Sequence, residues 1–159
     1  MRDDSESMRI DFRDTDASLP PASDLIAAMV AEMNQLYGDI EGPNVPSATP
    51  SDFAQPHGTF LVGYLDGEAV CAGGLKRLDE RAAEIKRMYV VPNARRRGVA
   101  RALLVALEDA ARTRGYRVVR LDTGPRQPHA MALYRAAGYA DIGNFNANPL
   151  ASYWGEKQL

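Results

Sequence analysis

Apolar and polar positions alternate with a period of two over residues 8 to 14, where Met8, Ile10 and Phe12 interleave with Arg9, Asp11 and Arg13, and this predicts a first strand. The period then changes. Leu25, Ile26, Met29, Val30, Met33, Leu36 and Tyr37 fall on one stripe at helical spacing, with prolines before them, Ser23 or Asp24 as cap and Gly38 as stop. Residues 39 to 57 carry four prolines and no clear period, which predicts a long loop with room for a helical turn. Two apolar runs, 58 to 65 and 68 to 79, are joined by Asp66-Gly67, a hairpin signal.

A further strand over 82 to 91 is closed by Pro92, and Val99, Ala102, Leu103, Ala106, Leu107 and Ala110 mark a helix from Gly98 to Arg114. With a strand over 117 to 122, these make a strand-helix-strand unit of the length that suits a right-handed crossover between parallel strands. The stretch 129 to 138 reads as a helix ended by Gly138, and 139 to 145 and 151 to 159 read as two closing strands.

Composition places these elements in one domain. The 159 residues are 45% apolar and 25% charged, and no apolar run approaches a membrane span. A flexible N-terminus over 1 to 7 and a single domain over 8 to 159 are expected. Residues 1 to 10 lack the pattern of a signal peptide, so the expected location is cytoplasmic. Cys71, the one cysteine, lies in an apolar run and reads as a buried thiol, and neither His57 nor His129 has the neighbours of a metal ligand. The net charge of −2 argues against a dedicated nucleic-acid partner. Yet residues 1 to 66 hold 12 acids against 3 bases while the remainder holds 9 against 16, so the back half favours an anion and the front half a cation.

The basic half is densest at Arg95, Arg96 and Arg97, between the strand that stops at Pro92 and the helix that begins at Gly98. Taken alone, the triplet fits a solvated helix start, a basic patch or a phosphate cradle. Helix-start amides have no intrahelical partners and sit at the positive end of the dipole, so this is anion-site geometry.

The neighbouring residues add a resemblance. Arg95-x-x-Gly98-x-Ala100 resembles the Q/R-x-x-G-x-G/A signature of the GNAT superfamily of acetyl-CoA-dependent N-acetyltransferases, and the segment with Ala130, Leu133, Tyr134, Gly138 and Tyr139 resembles that family's strand-loop-helix ending. The order of elements over about residues 8 to 159 is similar as well. The resemblance implies an α/β (α+β) fold: a mixed, twisted sheet of six to seven strands flanked by about four helices, with strands 84–90 and 117–122 splayed for the cofactor. It implies that acetyl-CoA lays its pyrophosphate on the amides of residues 96 to 101, that is Arg96, Arg97, Gly98, Val99, Ala100 and Arg101, with Arg95 assisting. The pantetheine arm would pair with the main chain near Met88 and Val90, and an amide at Met88 or Tyr89 would face the developing oxyanion. Gln127 stands where the family often has asparagine, and is expected to contact the cofactor.

The same resemblance implies two proton carriers. Tyr134 would protonate the departing thiolate, and Glu84 would act as base, directly or through water. The competing expectation for Glu84 is an ion pair with Lys86, its same-face neighbour, unless a bulge alters that parity. Acids of the first helix and loop, Glu32, Asp39, Glu41 and Asp52, would attract an amine, with Tyr37, Tyr64 and Trp154 as candidate walls. The expected partner is a small-molecule amine or amino acid, with no metal, no nucleic acid and no membrane. A protein lysine or N-terminus is the alternative acceptor, a non-catalytic CoA-binding module the alternative class, and a homodimer through 151–159 the possible assembly.

Overall fold

In the computed structural model, residues 9–38 and 48–159 are described. Their order is β1 (Asp11–Asp14), α1 (Ala22–Tyr37), a 3-10 turn (Pro50–Phe53), β2 (Thr59–Leu65), β3 (Glu68–Arg77), β4 (Ala82–Val90), a second 3-10 turn (Pro92–Ala94), α2 (Val99–Thr113), β5 (Val118–Thr123), α3 (Pro128–Ala136), β6 (Ala140–Asp141) and β7 (Tyr153–Gln158). The seven strands form one sheet in the order β1-β2-β3-β4-β5-β7-β6. Every neighbouring pair is antiparallel except β4 and β5, which are joined through α2 as a parallel crossover. The helix count is the difference from expectation: three α-helices and two short 3-10 turns among the described residues, in place of about four helices.

The hairpin turns where Asp66 and Gly67 both take positive φ, 51° and 81°, which matches the twist of the flanking strands. Period-two alternation then sends β2 side chains to opposite faces. Phe60 and Val62 pack with Ala22 and Leu25 of α1, with Phe53 and with Ala72, whereas Leu61 joins Leu103, Leu104 and Leu107 of α2 with Val119, Leu121 and Tyr134. The sheet therefore carries a core on each face. Cys71 is fully buried in the second core, and burial pushes its thiol up to about 11.

Glu108, on the buried face of α2, is only 3% exposed. Lys157 of β7 donates to both its carboxylate oxygens at 3.1 Å and the Tyr139 hydroxyl donates at 2.8 Å. Burial, followed by the charge of Glu108, holds the Tyr139 phenol in its neutral, donating form. Glu108→Ala would strand both donors, and a loss of about 2–3 kcal/mol is expected in urea unfolding, since a buried pair is costly to break from one side.

The segment predicted as a strand over 139–145 is largely a loop, with only Ala140 and Asp141 in β6. Asparagines explain the difference. Asn144 Oδ1 accepts from the amides of Asn146 and Ala147, Asn146 Oδ1 from Asn148, and Asn148 Oδ1 from Leu150. These side chains take up the hydrogen bonds a ladder would need, and Ala147 adopts a φ of +56°. β1 is likewise shorter than expected, beginning at Asp11.

Candidate active site

β4 and β5 pair over only three positions, Ala82 with Val118, Ala83 with Val119 and Glu84 with Arg120. Past them the strands part. β5 stays zipped to β7 along its whole length, so from Ile85 onward β4 is no longer laddered to β5 and this edge of the strand faces the opening. A bulge shapes this edge: the β3–β4 register slips between Ala72 and Gly74, and Arg87 takes a φ of +59°. Opposite the bulge stands Gly73, where a Cβ would come within 2.9 Å of Leu107 and 3.3 Å of Met88. The bulge lies beyond Lys86, so Glu84 and Lys86 keep their same-face spacing and their ion pair forms, Nζ to Oε2 at 3.5 Å.

The strand edge leads into the N-terminus of α2. Gly98 is its cap residue at φ +81°, Arg96 also has positive φ, at 63°, and no side chain caps the helix. Its first amides lack intrahelical partners, and the space where a Gly98 side chain would stand is open. Arg96, Arg97 and Arg101 are exposed around this turn. Arg95 is committed to the protein: Nε donates to the Val90 carbonyl at 2.9 Å, Nη2 to Glu32 at 2.7 Å, and the guanidinium lies 5.6 Å from the Tyr89 ring centre. It fastens α1 to the end of β4. Tyr89 itself is buried, while Met88 reaches the opening.

Between the parted strands lies a cleft of about 220 Å³, walled by Met29, Val30, Met33 and Tyr37 of α1, by Ile85 to Met88 of β4, and by Asp122 and Tyr134. The Tyr134 hydroxyl donates to Met88 Sδ at 3.8 Å, and its ring stacks on Tyr153 at 6.4 Å. Burial, then the charge of Asp122, raises its pKa above the ordinary tyrosine value, so the hydroxyl stays protonated. Glu84 does not line this cleft. It is 2% exposed, held by Lys86 and by Asn146 Nδ2 at 2.9 Å.

At the cleft's other end, the Tyr37 hydroxyl donates to Gln127 Oε1 at 3.1 Å and accepts from the Arg126 amide at 3.1 Å, while Arg126 donates to the Leu36 carbonyl at 2.7 Å. The end of α1 is thereby latched to the turn after β5, with Tyr37 resting on Gly124. Tyr37 and Gln127 thus meet at the cleft. Glu32 is paired with Arg95, Asp52 accepts from the Thr49 amide at 2.7 Å, Tyr64 lies beneath Arg13, and Trp154 donates to Asn146 at 3.1 Å. Asp39 and Glu41 lie outside the described residues. Among the described residues no group of three His, Cys, Asp or Glu is placed to hold a metal ion, and no helix is long and apolar enough to cross a membrane.

The sequence profile of the acetyltransferase (GNAT) family matches residues 27–139. The chain belongs to the GNAT acetyltransferase family. Among this GNAT protein's relatives, the IAA acetyltransferase of Azospirillum brasilense is 34% identical over 127 residues, which are 79% of this chain and 83% of that one. A crystal structure from Klebsiella pneumoniae, assigned as an acyl-CoA N-acyltransferase, superposes with a TM-score of 0.78 at 29% identity, covering 96% of this chain and 99% of that one. A GNAT acetyltransferase of Elizabethkingia anophelis, solved with acetyl-CoA bound, shares the fold at a TM-score of 0.67 and 16% identity, over 94% and 98% of the two chains. The protein is an acyltransferase of the acetyl-CoA-dependent GNAT type.

Two cleft residues of this GNAT chain, Asp122 and Asn148, and Asn146, which holds Asp122, went unread in the sequence. A signal existed for the first. Asp122 is a lone carboxylate near the carboxyl end of a parallel strand, the end at which α/β sheets bind ligands. Asn146 and Asn148 lie between the two segments that read as strands, 139–145 and 151–159, where no period or motif singles them out.

Proposed function

We propose that the protein transfers an acetyl group from acetyl-CoA to the primary amine of a small molecule or amino acid, by direct attack within a ternary complex. The parted strands β4 and β5, with the Tyr134 hydroxyl held against Met88 on the open edge, carry this reading. Acetyl-CoA fits the residues present. The open space above Gly98 and the uncapped start of α2 suit its pyrophosphate, Arg96, Arg97 and Arg101 supply cations, and the β4 edge near Met88 suits an extended arm. When bound, it supplies the activated acetyl thioester.

Tyr134 is assigned as the acid that protonates the departing sulfur. A small acceptor suits a cleft of about 220 Å³ closed at one end by the Tyr37–Gln127 latch. Cys71, fully buried and with a raised thiol pKa, is unsuited to carrying the acetyl group.

An alkyl ammonium of pKa ~10.4 is neutral in about one molecule in 2,500 at pH 7, which withholds roughly 4.6 kcal/mol from attack, so a proton acceptor is required. Glu84, expected in that role, is sealed by Lys86 and Asn146.

The test is thiol release from acetyl-CoA against a panel of primary amines and amino acids. Amine-dependent release is expected. Cofactor binding with no release for any amine would favour a non-catalytic CoA-binding module.

A further inference from the structure

We infer that Asp122 is the carboxylate that receives the acceptor's ammonium group and takes its proton. The inference rests on the amine-acetyltransferase reading above and assigns the residue that reading still needs. Asp122 is half-buried on β5, on the wall facing the open edge of β4, and it lines the same cleft as Tyr134 and Met88. Its charge is one of those that raise the Tyr134 pKa, which places it near the hydroxyl.

Asp122 is held on one side only. Asn146 Nδ2 donates to Oδ2 at 2.6 Å and Asn148 Nδ2 donates to the same oxygen at 3.1 Å. Among the described residues nothing donates to Oδ1, so one carboxylate oxygen is fixed and the other is left to a ligand. Asn146 is itself fixed by Trp154, whose Nε1 donates to Asn146 Oδ1 at 3.1 Å, and its Nδ2 also reaches Glu84. A carboxylate oriented by two amides, in a half-buried cleft and with no ion pair among the described residues, is a binding site for a cation. Glu84, by contrast, has its cation in Lys86. Asn146 and Asn148 are positioning residues.

The ammonium binds Asp122 Oδ1 and gives it one proton, which passes on to solvent. The freed lone pair forms the C–N bond as the C–S bond breaks. The sulfur takes the Tyr134 proton, and the nitrogen's second proton restores the phenol.

The test compares wild type and Asp122→Asn with an alkylamine, cationic at pH 7, and an aryl amine, uncharged there. For the alkylamine, Asp122→Asn should lower kcat/KM by about tenfold or more, chiefly through acceptor KM, with acetyl-CoA Kd within about twofold. For the aryl amine the loss should be several-fold smaller. Asp122→Ser, which keeps an acceptor for both asparagines, replaces the asparagine variant if that one fails to fold. Equal loss for both amines, or none, overturns the inference while leaving the acetyltransferase reading standing. A wild type that releases thiol with no amine at all removes that reading, and the inference with it.

Discussion

Tyr134→Phe is expected to lower kcat about 10²- to 10⁴-fold in a protein that remains folded. The hydroxyl's hydrogen-bond partner within the described residues is a thioether at 3.8 Å, a weak acceptor, so its removal should cost under about 1 kcal/mol of stability. Under the proposed function its use lies in the reaction. A thiolate leaving into a desolvated cleft becomes a stronger base than the ~8.5 of a free thiol, as Cys71, raised to about 11 by burial, illustrates in this same chain. The buried phenol is its match in kind: burial and the Asp122 charge raise its pKa, so it is protonated at every pH up to at least the ordinary tyrosine value of ~10. No alkaline loss of kcat below that pH should therefore trace to Tyr134. Steady-state kinetics with a thermal melt and acetyl-CoA Kd checks all three statements, and a phenylalanine variant with near-normal kcat would reduce Tyr134 to a packing residue.

Gly98→Val is expected to weaken acetyl-CoA binding by roughly 10- to 100-fold. At φ +81° an L side chain is strained by about 1–3 kcal/mol, more for a β-branched one. The free protein relieves that strain by letting the first turn of α2 shift, and binding must then restore it, at tenfold in Kd for each ~1.4 kcal/mol. The amides of Val99, Ala100 and Arg101 move with the turn. By comparison, Arg97→Ala removes one exposed cation, worth ~0.2–1 kcal/mol, and should cost no more than about fivefold. Equal losses in the two variants, read by calorimetry, would mean that the triplet acts as a basic patch and not as the rim of an amide cradle.

Local chemistry made much of the fold legible. Asp66-Gly67 fixed the hairpin, the stripe from Leu103 to Ala110 fixed α2, and Arg95-x-x-Gly98 marked the turn where positive φ is required. What stayed hidden depends on contacts between distant segments. Arg95 gave no sign that it would spend its guanidinium on Glu32, 63 residues earlier, nor Tyr37 that it would bond Gln127, 90 residues later. Glu84 and Lys86 were readable as a pair or as a base and its neighbour, and the choice turned on where the bulge falls. With the bulge at Arg87 the pairing survives, and the cleft carboxylate becomes Asp122.

Direct transfer to an amine is the claim on which the rest depends. It is tested most directly by a single turnover with isotope-labelled acetyl-CoA and an active amine, with acceptor and protein both followed by mass spectrometry. Label in an N-acetyl amide is expected in step with thiol release, with no acetylated protein at any time. Label that accumulates first on the chain and passes to the amine only afterwards would contradict direct transfer.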